Sequence, residues 1–261
     1  MTLATYQHPV SAHTLKWIAI VTMAIDHTGH ICYKWLGWST PYLTMRFIGR
    51  IAFPIFAVLL LEGFRYTRNR WKYLRNLLVF AILSEIPFDL ALTGWENRYT
   101  SQNIFWTLSL GLFGVMAAET CVRRRIPRPV ALFCALLPMA AAACVGEWLS
   151  VDYHFWGVAL IELVYCGETA VSYLFRGRVS AQTLRNMGAA FGIVLWAVSY
   201  DLSHGWINEL YGLAALLPIL LYNGERGRYR LSKWFFYGFY PAHLLILYAF
   251  RDTVFQWLLA G

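Results

Sequence analysis

Long apolar runs broken by short polar loops recur along the whole chain. They fall at roughly 15–36, 43–64, 72–93, 103–121, 129–149, 155–175, 187–203, 206–222 and 234–257. A helix needs about 20 mostly apolar residues to cross about 30 Å of hydrocarbon, and most of these runs reach that length. The pattern predicts an all-α, polytopic transmembrane helical bundle of about nine spans, forming a single integral membrane domain over 1–261. The seventh and eighth runs are short and almost contiguous. Read as a re-entrant pair, they would leave eight to ten crossings.

The loops between the runs fix an orientation. Arg65, Arg68, Arg70, Lys72 and Arg75 follow the second run, and Arg123, Arg124, Arg125 and Arg128 follow the fourth. Arg176, Arg178 and Arg185 follow the sixth, and Arg226, Arg228, Arg230 and Lys233 follow the eighth. With Lys16, these place 17 of the 22 Lys and Arg on one side. The alternate loops hold Lys34, Arg98 and a few acids, Glu96, Glu147 and Asp152. A Lys/Arg excess marks cytoplasmic loops, so the N-terminus is expected inside and the C-terminus outside.

Composition agrees: 59% of residues are hydrophobic and 14% charged, where a soluble domain has about 25% charged residues. The net charge of +8 is explained by topology, so no nucleic-acid partner is expected. The polar stretch before the first run carries no cleavable signal pattern. The five cysteines form no CxxC pair, which predicts neither a disulfide framework nor a zinc site. Nucleotide-cradling glycine loops and internal repeats are absent from the sequence.

The candidate chemistry lies inside the runs. Asp26 and His27 stand near the middle of the first, LKWIAIVTMAIDHTGHICYKWL. Counting at 1.5 Å per residue puts His27 and Arg50 roughly 10–14 Å below the outer end of their helices. Arg46 lies one turn outward of Arg50, and Glu85 and Asp89 fall in the same outer half of the third run. Unpaired charges at such depth are costly, so a paired polar cavity open to the outer face is expected. Pairing that only holds the bundle together is the competing reading. Histidine suits proton acceptance near neutral pH. Neighbours on a helix point about 100° apart, so Asp26 is free to pair with an arginine instead of His27. Glu162 has no local partner and is expected to join the cavity. Asn103 reads as an N-cap or a substrate contact. His30 reads as an outer-rim histidine, Asp201 and His204 as interfacial groups, and Glu62 as an i, i+3 partner of Arg65. His243 follows Pro241, which frees a carbonyl that the imidazole could bond. No metal site is expected.

Several of these strings also resemble the TraX family of integral membrane proteins. They are LKWIAIVTMAIDH, MRFIGRIAFPIFAVLLLEG, RNLLVFAILSEIPFDL, QNIFWTLSLG, DYHFWGVALIELVY and FFYGFYPAHLLILY, in order over most of the chain. The resemblance implies an activity like F-pilin N-acetylation, within a wider group of polytopic membrane acyltransferases. It implies acetyl-CoA as donor, an amine acceptor such as a pilin N-terminus, and the bacterial inner membrane as location. Asp26, His27, Arg50, Asn103 and His243 match the shared pattern. Glu62, Arg75, Glu85 and Asp89 match a commoner chromosomal version of it. On that basis His27 is expected to be the base or a transiently acetylated nucleophile, with Asp26 tuning it and Arg50 holding an oxyanion or a carboxylate. Arg46, Glu85, Asp89, Asn103, His243 and Glu162 would line the acceptor site. Lys16, Glu62, Arg65, Arg68 and Arg75 would meet acetyl-CoA on the basic side. A proton-coupled transporter or a non-enzymatic pilus assembly factor would use the same polar groups differently. The acceptor's identity, the acyl chain and the oligomeric state stay open at this level.

Overall fold

The structure, a computed structural model, describes residues 9–37, 42–98, 100–123, 127–227 and 232–260. Arg124, Arg125, Arg228 and Arg230 of the basic loops lie outside the described residues, as do the side chains of Arg128 and Lys233. Helices dominate: α1 (Ala12–Leu36), α2 (Tyr42–Gly49), α3 (Ala52–Tyr66), α4 (Arg70–Phe88), α5 (Ile104–Val122), α6 (Arg128–Trp148), α7 (His154–Leu174), α8 (Ala181–His204), α9 (Leu216–Leu220) and α10 (Lys233–Ala260). Polar side chains at Ser11, Asn69, Asn103 and Ser180 accept from first-turn amides and start α1, α4, α5 and α8. Gly37 and Gly205 end α1 and α8 in the left-handed conformation that glycine adopts freely.

Prolines shape two of the crossings. Pro54 has no N–H to give the carbonyl of Arg50, four residues back, and the run from Tyr42 to Tyr66 breaks there into α2 and α3. Pro87 lies near the end of α4, which relaxes into a π-turn over Asp89–Thr93.

Among the described residues, five segments are long and apolar enough to cross a membrane: Tyr42–Tyr66, Arg70–Thr93, Ile104–Val122, Val130–Trp148 and His154–Leu174. The expected eighth span needs correction. Its helical part runs only from Glu209 to Leu220, as a 3-10 turn (Glu209–Ala215) followed by α9. At 1.5–2.0 Å per residue that is about 18–24 Å, short of a crossing. The expected seventh span is longer than its apolar run, because α8 begins at Ala181.

Contacts sort the loops into two ends. At the basic end Val10 pairs with Tyr222, Arg70 bonds Glu119, and Arg65 bonds Glu168. At the far end Gln102 pairs with Val151, and Lys34 reaches the carbonyls of Leu92 and Thr93. The half-length segment thus still returns the chain to the basic end, which keeps the alternation of the loops. Exposed tryptophans mark both ends, Trp17, Trp71 and Trp234 at one and Trp95, Trp148 and Trp206 at the other. Such rings favour membrane interfaces.

The α7–α8 seam is built from backbone. Gly188 and Gly192 of α8 lie against Gly167, Glu168, Leu163 and Val164 of α7, where a Cβ on either glycine would strike main-chain atoms. Small residues four apart allow this approach, and dispersion between close helices then holds the pair. The fully buried Trp196 continues the seam and donates its indole N–H to the Trp156 carbonyl at 2.7 Å. Gly192→Leu should therefore lower stability by about 1–3 kcal/mol through overpacking. Gly238→Ala in α10, where a Cβ meets nothing within 4 Å, should be neutral or stabilising. Thermal unfolding of both variants in detergent checks the contrast.

Candidate active site

The break at Arg50 is where the site begins. Irregular backbone at membrane depth persists where protein buries it or where it lines a cavity. Gly49 lets α2 lie flat on α1, since any Cβ there would overlap the Asp26 carboxylate. Asp26 consequently reaches both guanidiniums: Arg46 Nη1 at 2.5 Å and Arg50 Nη2 at 3.6 Å. The expected choice of an arginine over His27 as its partner is thus realised. Arg50, only 4% exposed, donates from its other arm to Glu209 Oε1 at 2.7 Å. Glu209 is held in turn. Asp201 accepts from the backbone N–H groups of Asn208, Glu209 and Leu210 at 2.9–3.0 Å, capping the 3-10 turn. Asp201, near the end of α8, is therefore buried and positions Glu209, whereas His204 beyond it is exposed.

The two intramembrane histidines meet. His27 Nδ1 and His243 Nε2 are 2.8 Å apart, and His243 Nδ1 lies 3.0 Å from the Phe239 carbonyl. A carbonyl can only accept, so His243 Nδ1 carries a hydrogen. In a neutral His243 the Nε2 is then bare and accepts from His27 Nδ1–H. That fixes the His27 tautomer and leaves its Nε2 lone pair uncommitted by the pair. The bonded carbonyl is that of Phe239, four residues back from His243 itself. The one freed by Pro241 belongs to Tyr237, so the expected partner was off by two residues.

His27 opens onto a cavity of about 550 Å³, walled also by Asp26, Arg46, Arg50, Asp152 and Tyr240. It lies toward the far end, with Asn97, Thr100 and Ser101 at its edge and His30 and Lys34 on its wall. Asp152 belongs to the short α6–α7 loop. Ser150, Tyr153 and His154 around it take φ of 52°, 61° and 52°, in the left-handed region. Each such residue costs on the order of 1–3 kcal/mol and persists only where its surroundings hold it. They do: Val151 pairs with Gln102, Thr107 donates to the Asp152 carbonyl at 2.7 Å, and Tyr153 stacks on Phe53. Burial pushes the Asp152 carboxyl up to about 6, against the opposing pull of Arg50 and Arg46.

Other expected site residues go elsewhere. Glu85 accepts from Asn103 and from Trp106 Nε1, and Asp89 accepts from Thr93 at 3.0 Å. Neither pairs with Arg46 or Arg50, which corrects the expectation that all five charges share one network. Asn103 caps α5 and donates to the Ala81 carbonyl at 2.8 Å, so the cap is the role seen. Glu162 is buried against Gly114 between α5, α6 and α7 and is not among the cavity walls. At the basic end Arg65 is held by Glu62 and Glu168, Tyr222 donates to Glu62 at 3.2 Å, and Lys16 stands over Phe236. Arg68 and Arg75 are exposed there. Glu209 and Asp152 are two acids that the sequence pattern does not place in the site. An acid at the head of an apolar run was the available signal for Glu209. For Asp152, a loop acid by pattern, there was none.

Comparison with known proteins adds the following. A family model described as TraX protein matches residues 11–251. The probable fimbrial assembly protein FimC, serogroup H1, of Dichelobacter nodosus is 30% identical over 250 residues, covering 91% of this chain and 94% of that relative. No solved structure matches.

Two measurements check the electrostatics. Truncating Arg50 or Glu209 alone strands a buried charge and should cost about 3–5 kcal/mol, while the double truncation should cost clearly less than the sum. Additive losses in detergent unfolding would refute the coupling. Burial holds the folded pKa of Asp152 at about 6, above the ordinary aspartate value of about 3.9. The folded state then binds more protons between about pH 4 and 6, so stability falls as pH rises through that window and stays lower above it. Asp152→Asn should remove that slope from the Tm-versus-pH curve.

Proposed function

The chain belongs to the TraX family, and from that premise we propose that it is a membrane acetyltransferase. It would move an acetyl group from acetyl-CoA to an amine presented at the far-end cavity, such as the amino terminus of a pilin. The observation that carries this reading is the His27–His243–Phe239 carbonyl chain, which offers a neutral His27 Nε2 to the cavity.

Amine acylation needs a base, a partner for the developing oxyanion, and aligned reactants. His27 Nε2 takes the proton as the amine nitrogen bonds to the thioester carbon. Its Nδ1–H stays bonded to His243, which spreads the new positive charge toward the Phe239 carbonyl. Arg46, which lines the cavity and pairs with Asp26 through Nη1, stabilises the oxyanion with its remaining donors, because Arg50 is buried between Glu209 and Asp26. As the C–S bond breaks, His27 returns the proton to the leaving thiolate, giving the amide and free thiol. Arg68 and Arg75 at the basic end would meet the donor's phosphates, with Arg65, Lys16 and Glu62 nearby. That end faces the cytoplasm, and the protein sits in the bacterial inner membrane. Arg65 and Arg50 are 15 residues apart along α2–α3, so the donor's acyl arm must reach about 22 Å into the bundle. The fimbrial assembly name of the relative supports a pilus subunit as acceptor.

The test uses purified protein in nanodiscs with labelled acetyl-CoA and a panel of amines that includes a pilin N-terminal peptide. Wild type should transfer label, and His27→Ala should lower the rate by about 10²-fold or more. His243→Gln, which disturbs only the second histidine, should lie between them. Full activity in folded His27→Ala overturns the assignment. No transfer by folded wild type would instead favour proton-coupled transport, or assembly without chemistry.

A further inference from the structure

The charges on the cavity wall do not all cancel against one another. Arg46 and Arg50 are balanced by Asp26 and Glu209 at ion-pair distance. Lys34, a third cation on the wall, donates to the carbonyls of Leu92 and Thr93 at 2.7 and 3.0 Å. Asp152 is different. It lines the cavity and its carboxylate is bonded by the Tyr153 backbone N–H, yet among the described residues it forms no ion pair with any Lys, Arg or His, and Arg50 and Arg46 act on it only from beyond that distance. Its main chain is fixed on both sides, by Gln102 at 2.9 Å and by the Thr107 hydroxyl at 2.7 Å. The left-handed residues around it hold the loop over the site at a cost in free energy. Aromatic side chains, Phe53, Phe56 and Tyr240 among them, form much of the remaining wall. A fixed carboxylate in a cavity lined by aromatic side chains is the chemistry that recognises a primary ammonium, which aromatic rings attract and a carboxylate pairs by charge-assisted hydrogen bonds.

From this placement we infer that Asp152 is the docking residue for the acceptor's ammonium group in the cavity that the His27 base also lines. The inference rests on the acetyl-transfer reading for its consequence and on the wall's charge balance for its substance. Asp152 holds the amine as its conjugate acid; His27 Nε2 takes one ammonium proton and passes it to water at the open cavity, and the neutral nitrogen then attacks with His27 free again to take the second proton. Specificity follows: a free amino group binds, while its acetylated product carries no charge for Asp152 and is released.

Two probes separate this from a structural role. Alanyl-alaninamide with a free amino terminus and its N-acetylated counterpart are titrated at pH 7 into wild type, Asp152→Asn and Asp152→Glu in nanodiscs, by calorimetry. Wild type should prefer the free amine, Asp152→Asn should lose about 10–100-fold of that preference, and Asp152→Glu should retain part of it. Equal binding of both peptides to wild type, or an unchanged preference in folded Asp152→Asn, overturns the inference. In a transfer assay Asp152→Asn should raise KM for the amine far more than it lowers kcat. Preference for the free amine without any acetyl transfer would sink the acetyltransferase reading and leave the ammonium site standing.

Discussion

A guanidinium fixed inside the bundle is the constraint on which the far half of this protein depends. Arg50 is 4% exposed, and a charge at such depth is tolerable only when it is paired and hydrogen-bonded. Meeting that demand sets the positions of several elements at once. Pro54 opens the helix at Arg50, Gly49 admits Asp26, and the chain after α8 turns inward so that Glu209 arrives from the other side. Asp201 spends its carboxylate on the amides that begin this segment. The half-length helix is thus explained by electrostatics: it carries an anion to Arg50, then runs to Tyr222 at the basic end, and need not face lipid along its length.

The histidine pair obeys a related rule on the opposite wall. An imidazole in a low-dielectric cavity keeps a defined tautomer only if its other nitrogen is bonded. His243 supplies that bond and is itself anchored to the carbonyl of Phe239. Stacking reinforces the register, with the His27 and His243 rings 5.0 Å apart and inclined by 10°, and His243 and Phe239 likewise. The contact joins residues 216 positions apart, so the first and last long helices must be docked before the base exists.

The sequence reveals depth well and rotation poorly. Depth follows from counting along a helix, and it places Asp26, His27, Arg46 and Arg50 together, as found. The same counting places Glu85 and Asp89 at similar depth, but α4 turns them toward Asn103, Trp106 and Thr93. At 100° per residue, helix rotation is decided by packing against neighbours, which no single segment encodes. Loop alternation sorts the two ends correctly because it depends on charge counts alone. The Pro54 break is legible in principle, since a proline four residues after Arg50 removes its carbonyl's partner. Asp152 is not legible. Its loop turns through left-handed residues at serine, tyrosine and histidine, with no glycine among them to announce the turn.

Asp26 illustrates how the parts depend on one another. Its adjacency to His27 in sequence suggests a group that orients the base, yet its oxygens are turned to the arginines. Its effect on the histidine is exerted through charge balance. Two unmatched guanidiniums beside the cavity would draw anions into it and occupy the space in front of His27. Matching them with Asp26 and Glu209 leaves Asp152, on its rigid loop, and Lys34, held by two carbonyls, as the remaining charges on the wall. A site so arranged offers a cationic group a carboxylate near a neutral base, with Asp26 at ion-pair distance offsetting the guanidinium of Arg46.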